Sequence, residues 1–275
     1  MMQVGQRINL AALVLIGICV SAHAQAPINS NVALQPSKGG VIIRQQFRYN
    51  TGEKSAAVGD LDIEQLSSNT TLVFGVTNEL TLILDSPLVL SRRLENKAAG
   101  IDSTDSGFAD LRFLTKIRLY RDDFGPNNTT RLDLIGGLEL PTGNDAFSTD
   151  SIDPIFGGVF THIVGRHAFN ADAIWKFNTA GGNRSADLLM YDLAYSYRLS
   201  PETYASTKPT ALFGSLELNG FSETNGVHEL FLSPGIQYVM THWIVEATVQ
   251  IPVRQNLDYR AERDPIVKIG FRVQF

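Results

Sequence analysis

The sequence predicts an all-β chain: a transmembrane antiparallel β-barrel of twelve strands over residues 40–275. Three observations predict it. Segments of about ten residues alternate apolar and polar positions from residue 41 to the last residue, and successive side chains of a strand point to opposite faces. The apolar faces of these segments carry no charged side chain, while the reverse faces carry charges of both signs. Short links and longer polar links occupy different places along the chain, as in barrels with tight turns at one end and loops at the other. After residue 24 no apolar run has the length of a membrane helix. If the chain crosses a membrane, it must do so as a closed barrel.

Residues 1–24 read as a cleaved signal peptide. Arg7 supplies the positive start, residues 10–20 form a short apolar run, and Ala22-His23-Ala24 is a small-x-small cleavage site. A membrane anchor competes with this reading but needs a longer run. A lipoprotein signal at Cys19 is disfavoured by the bulky Ile18 before it. Cys19 is the single cysteine, so the exported chain would have no disulfide, thiolate nucleophile or cysteine metal site. Residues 25–39 lack a strand pattern and read as a flexible N-terminal segment, either mobile outside the barrel or tucked into it.

The strands follow in order. Val41, Ile43, Phe47 and Tyr49 alternate with Arg44, Gln46 and Arg48. Leu66, Leu72, Phe74 and Val76 form the second apolar face, with Ser68 and Thr70 toward one end. Leu80 to Leu90 give the third, with Thr81 and Asp85 on the reverse. The clearest case is the fourth: Ala109, Leu111, Phe113, Thr115, Ile117 and Leu119 against Asp110, Arg112, Lys116 and Arg118. Leu132, Leu134, Leu138 and Leu140 oppose Arg131, Asp133 and Glu139. Residues 153–164 are apolar on both faces, which leaves their parity unassigned. The next faces are Phe169 to Phe177 against Asn170, Asp172 and Lys176, then Leu189 to Tyr197 against Asp192, Ser196 and Arg198. Leu212, Leu216 and Leu218 oppose Ser215 and Glu217; Leu230, Leu232, Ile236 and Tyr238 oppose Glu229 and Gln237. Trp243 to Val253 oppose Glu246, Gln250 and Arg254. The last strand sets Val267, Ile269, Phe271, Val273 and Phe275 against Lys268 and Arg272.

The links near Asn78-Glu79, Gly165-Arg166 and Thr241-His242 are short, and the odd-numbered links are long and polar. The fourth and eighth links, around residues 121–129 and 200–208, read as longer than this rule allows. Trp175, Phe177, Tyr197, Tyr49, Tyr120, Tyr238 and Trp243 fall near strand ends, where aromatic girdles form. A secreted soluble β-protein is the competing reading, since each strand alone suits it. An even strand count and the closing of the last strand on the first explain why the pattern runs to Phe275. The terminal Phe also resembles the C-terminal signal of Gram-negative outer-membrane proteins, which implies the barrel-assembly machinery as a partner.

Composition narrows the function. A formal charge of −5 and a pI near 5.5 argue against nucleic acid. Mean hydropathy of −0.01 is also the value of many soluble proteins, because alternation hides a lipid-facing surface from the average. Some outer-membrane barrels are lipid hydrolases, which need a Ser nucleophile and a His base. His162, His167, His228 and His242 sit in no such motif, so no enzyme, catalytic residue, cofactor or metal is expected.

Three stretches, residues 74–90, 107–120 and 138–160, carry a family resemblance. Gly107, Asp110, Leu111 and Lys116 followed by Pro141, Thr142 and Gly143 resemble the motifs of the meta-pathway of phenol degradation family of outer-membrane barrels. Asp110 stands one residue later than in that pattern. The resemblance implies a Gram-negative outer-membrane protein, embedded in lipid, that passes small and often aromatic organic solutes. The residues themselves nominate a lumen lined by Arg44, Arg48, Asp85, Asp110, Arg112, Lys116, Arg118, Arg131, Asp133, Glu139, Asp192, Glu217 and Glu246. Such charges either line an open path or pair to fill a narrow twelve-stranded barrel. A non-conducting structural or surface-binding barrel is the alternative function.

Overall fold

The alternating segments join into one continuous wall. A computed structural model describes residues 25–54, 61–96, 99–125, 127–180, 186–203, 210–257 and 261–275; the signal-peptide reading of residues 1–24 lies outside them. The strands are β1 (Val41–Lys54), β2 (Leu61–Gly75), β3 (Leu80–Asn96), β4 (Ile101–Phe108), β5 (Leu111–Gly125), β6 (Asn128–Leu140) and β7 (Asp153–Val164). They continue as β8 (His167–Lys176), β9 (Leu188–Ser200), β10 (Ala211–Glu223), β11 (His228–Val239), β12 (Trp243–Asn256), β13 (Glu262–Arg263) and β14 (Ile266–Gln274). Each described pairing is antiparallel, in a single 14-stranded sheet.

Two pairs of these strands act as one. β4 and β5 both pair β3, along Leu88–Asn96 and Leu80–Asp85 respectively, so they form a single wall strand broken at Ala109 and Asp110. β13 and β14 both pair β1. The wall therefore has the expected twelve strands. β1 also pairs β2, which puts Ile42 opposite both Val73 and Gln274. That double pairing closes the sheet into a barrel and removes its edges. Phe275 takes part in this closure: Phe275 N donates to Val41 O at 2.9 Å, and Val41 N to Phe275 O at 3.2 Å.

Burial decides between lipid and water. Phe47, Leu72, Leu84, Phe113, Leu134, Leu193 and Ile269 are exposed, whereas Asp133, Glu217 and Glu229 have 0% exposure. A soluble sheet does the reverse, covering its apolar face and showing water its charges. An outward apolar band around a polar interior belongs to a transmembrane barrel. The parity of β7, unassigned from sequence, is fixed here: Phe156, Phe160 and Val164 face out, and Asp153, Val159 and Thr161 are covered.

Several links differ from their reading. β5 runs to Gly125 and β6 starts at Asn128, so the fourth link is a short turn. A register shift between Arg118 and Tyr120 flips the side-chain parity there, which hides the strand's continuation. The third link is mostly strand, because β3 reaches Asn96 and β4 begins at Ile101. β3 has 17 residues and β8 has 10, so the β1–β4 side rises above the rest at the loop end. The eighth link stays long; residues 204–209 within it lie outside the described residues, as do 55–60 and 181–185 of two loops. At the turn end, Trp243 packs on Phe271 with centroids 6.2 Å apart, and Arg166 lies 4.7 Å over Tyr197. Amphipathic rings of this kind mark a membrane–water boundary.

Candidate functional site

The barrel interior is occupied by the chain's own N-terminal segment. Residues 25–36 lie inside the barrel, and Ser37, Lys38 and Gly39 are exposed at its end. Ala26, Ile28, Ala33 and Leu34 are all buried. The segment returns to the wall at the turn end, where Gly39 N donates to Gly75 O at 2.7 Å and Gly75 N to Gly40 O at 3.0 Å. A Cβ at Gly75 would stand 2.3 Å from Ser37 O, so only glycine lets the segment cross the end of β2 here.

The inner wall holds this segment mainly through its backbone. The Glu217 carboxylate on β10 accepts from Ile28 N at 2.7 Å, Asn29 N at 3.0 Å, Ser30 N at 2.9 Å and Ser30 Oγ at 2.7 Å. Three successive N–H groups converging on one anion form a nest. Asp172 on β8 accepts from Asn31 N at 2.9 Å and Asn31 Nδ2 at 3.1 Å. Thr161 Oγ1 accepts from Ala33 N at 2.8 Å, Lys116 Nζ donates to Val32 O at 2.6 Å, and Gln35 Nε2 donates to Asp133 at 2.9 Å. Lys268 Nζ donates to Asn29 Oδ1 at 3.0 Å.

Around this plug the charges pair. Glu246 on β12 receives Arg44 at 2.6 Å and Arg272 at 2.7 Å. The same two arginines donate onward to Ile28 O and, at 2.7 Å, to Pro27 O. Nearer the loop end, Lys176 bonds Glu139 at 2.7 Å. Arg112 stands 3.8 Å from Asp85, Arg118 stands 3.8 Å from Asp133, and Arg131 stands 3.3 Å from Asp123. Arg48 lies on the inner parity of β1, opposite Lys268 and Ser67. Asp192 accepts from Asn219 at 2.9 Å. Asp172, Lys176, Lys268 and Arg272 belong to the same network although they were not among the nominated residues. Their position on the polar parity was the signal that could have found them.

Asp110 is placed differently. It sits in the break between β4 and β5, beyond the rim where β5 and β6 end at Leu111 and Leu140. Its carboxylate accepts from Thr142 N at 3.1 Å, Gly143 N at 2.9 Å, Thr149 N at 2.7 Å and Thr149 Oγ1 at 3.0 Å. It thus staples the 141–149 loop. Burial raises its pKa, but the backbone donors of Thr149 and Gly143 and the loop hydroxyls outweigh that and hold it below the ordinary value.

The interior also has an apolar side that sequence parity did not suggest. Ile42 faces Val73, Val73 faces Ile83, and Ile83 faces Leu114 across successive strand pairs. The row continues through Gly137 to Ile155, and a parallel row runs from Ile135 through Gly157 to Ile174 and Met190. A Cβ at Gly137 would lie 2.0 Å from Phe113 O, and one at Gly157 would lie 2.3 Å from Ala173 O. At these two places neighbouring strands come too close for a side chain. Between this belt and the N-terminal segment lies a cavity of ≈ 310 Å³. Its lining combines apolar Val73, Ile83, Leu114, Ile155, Ile174 and Met190 with polar Asn29, Asn31, Arg44, Asp85, Arg112 and Asp192. Such a space suits a small molecule with an apolar body and a polar edge.

Comparison with known proteins agrees with the architecture. The model of a family described as "Putative MetA-pathway of phenol degradation" matches residues 44–253. Among solved structures the chain is similar to an outer membrane channel from Pseudomonas putida F1, with a TM-score of 0.65 and 17% identity over 90% of this chain and 100% of that one. It also aligns with the beta domain of the Bordetella autotransporter Brka, with a TM-score of 0.49 and 10% identity over 86% of this chain and 100% of that one. No curated protein matches the chain.

Proposed function

The chain belongs to the family described as "Putative MetA-pathway of phenol degradation", and on that premise we propose that it is a Gram-negative outer-membrane channel for small organic solutes with an apolar or aromatic body. The turn end faces the periplasm and the loops face outward. The observation that carries this reading is the belt from Val73 to Met190 inside the lumen. A pore for ions or sugars gains nothing from buried isoleucines on its inner wall. A solute that leaves water against them gains about 25 cal/mol per Å² of apolar surface covered. Arg112 and Asp85 border the same cavity and set its field. With residues 25–39 in place, the path is closed beside the cavity, so passage follows displacement of that segment.

Uptake of a labelled phenol-sized aromatic by cells with and without the protein tests this. Leu114→Asn puts an amide into the belt and removes roughly 2 kcal/mol of apolar contact, so uptake should fall about thirtyfold while the barrel still inserts. Equal uptake with wild type, variant and no protein defeats the proposal. The segment in the lumen favours a second reading, a structural barrel that never opens. It predicts that deleting residues 25–36 creates conductance which the intact protein never shows under any solute.

A further inference from the structure

We infer that the lipid-facing surface of β1, β2 and β3 joins two copies of this chain about a two-fold axis along the membrane normal. Gln45, Thr70 and Ser86 are register partners on three adjacent strands: Gln45 stands opposite Thr70, and Thr70 opposite Ser86. All three point outward. On β1, Arg44 and Gln46 on either side of Gln45 bond inward to Glu246; on β2, Asn69 and Thr71 on either side of Thr70 bond inward to Asp85. Ser68 shares the outward parity.

The row is not at a membrane boundary. Along each strand it is flanked on both sides by lipid-facing apolar residues: Ile43 and Phe47, Leu72 and Leu66, Leu84 and Leu88. On β14 and β12, the next strands around from β1, the corresponding face is Phe271, Ile269, Val267, Val245, Ala247 and Val249. A primary amide has therefore been placed inside the apolar band on one side of the barrel. Within the chain one bond serves it, Thr70 Oγ1 donating to Gln45 Oε1. The two hydrogens of the Gln45 amide and the hydroxyls of Ser68 and Ser86 have no partner among the described residues. Hydrocarbon offers none, and an unmatched polar group there is costly.

A second copy supplies what is missing. An amide is donor and acceptor at once, so Gln45 can bond its own symmetry mate, as an isologous contact requires. The mate's row lies at the same depth with the same chemistry, a match that another protein would have to reproduce. Thr70 and Ser86 are small enough to let two walls approach closely, and Ser68, 8% exposed, leaves no bulk between them.

Disulfide trapping tests this in outer-membrane vesicles. Cys19 is the single cysteine, so a Cys19→Ser background carrying Thr70→Cys reports one contact. The control is Leu193→Cys, which is lipid-facing on β9 and 58% exposed. Mild oxidation should convert Thr70→Cys, and not Leu193→Cys, to a band of twice the mass. Sedimentation equilibrium in density-matched micelles should give a dimer for wild type, with Gln45→Leu raising its dissociation constant about tenfold, as membrane side-chain hydrogen bonds of this kind allow. Heat-modifiable migration checks that Gln45→Leu is folded. Equal cross-linking at both positions, a wild-type monomer, or a Gln45→Leu dimer as tight as wild type overturns the inference. So does a Gln45→Leu variant that alters only solute uptake, which would make the row a lateral contact for solute.

Discussion

Glu217→Ala should release the N-terminal segment without unfolding the wall. In the native structure one carboxylate takes three backbone N–H groups and the Ser30 hydroxyl at 2.7–3.0 Å. A net bond to a charged acceptor contributes about 1.5–3 kcal/mol, and such bonds are not additive. Water entering the vacated space recovers part of the loss. A net loss of about 3–4 kcal/mol follows, which raises the undocked population roughly 10²- to 10³-fold. Asp172, Thr161, Lys116 and Asp133 still hold residues 31–35, and Arg44, Arg272 and Lys268 still hold Ile28 O, Pro27 O and Asn29, so the loosening begins at the freed amides of Ile28–Ser30.

Hydrogen–deuterium exchange in micelles reads this directly. The amides of Ile28, Asn29 and Ser30 should exchange about 10²- to 10³-fold faster in Glu217→Ala, while those of β12 stay protected. Glu217→Gln keeps one carbonyl acceptor and should give a smaller acceleration. Planar-bilayer recording should show more frequent open events in the same order. If exchange at residues 28–30 is unchanged while Glu217→Ala migrates as a folded barrel, the nest does not latch the segment.

Two further perturbations test other parts of the structure. Gly137→Val forces a Cβ to within 2.0 Å of Phe113 O, so the β5–β6 wall must spread; the heat-modifiable folded band should be lost, whereas Gly158→Val, with nothing within 4 Å, should keep it. Asp110→Asn should make the 141–149 loop accessible to protease at neutral pH. In wild type the carboxyl pKa is lower folded than unfolded, so the loop's attachment is fully present above the unfolded value of about 3.9 and is lost as pH falls through the lower folded value. Protease resistance of the loop that persists under those acid conditions would remove the staple from the account.

Much of the wall was legible in the sequence, and the reason is the period of two. In β5 and β12 the apolar parity is almost unbroken, so pairing could only keep it on one face. β7 was not legible because Ile155, Val159 and Ile163 put apolar residues on its inner face too. The inner belt was invisible for a related reason. Ile83 stands between Thr81 and Asp85, and Leu114 between Arg112 and Lys116. Each looks like a lone exception within a polar face. Strand register alone shows that the exceptions are neighbours.

The docked segment was illegible for a different reason, which bears on how it works. Its contacts span up to 245 positions in sequence, and those to Glu217 engage peptide N–H groups. Any residue but proline has such a group, so residues 28–30 need no motif to be recognised. The specificity sits on the wall, in Glu217, Asp172 and Thr161. Glu217 and Asp172 each read as one more polar residue on an inner parity, and Thr161 lies on the strand whose parity the sequence left unassigned. Side-chain changes in the segment should therefore be tolerated far better than changes at Glu217: Ser30→Ala removes one of the bonds to that carboxylate and leaves the three backbone donors in place. By the same logic Asn29→Pro, which deletes one of those donors and constrains the residue before it, should loosen docking more than Asn29→Ala does. Exchange rates at Ile28 in the two variants decide it, and equal rates would move the latch from the backbone to the side chains.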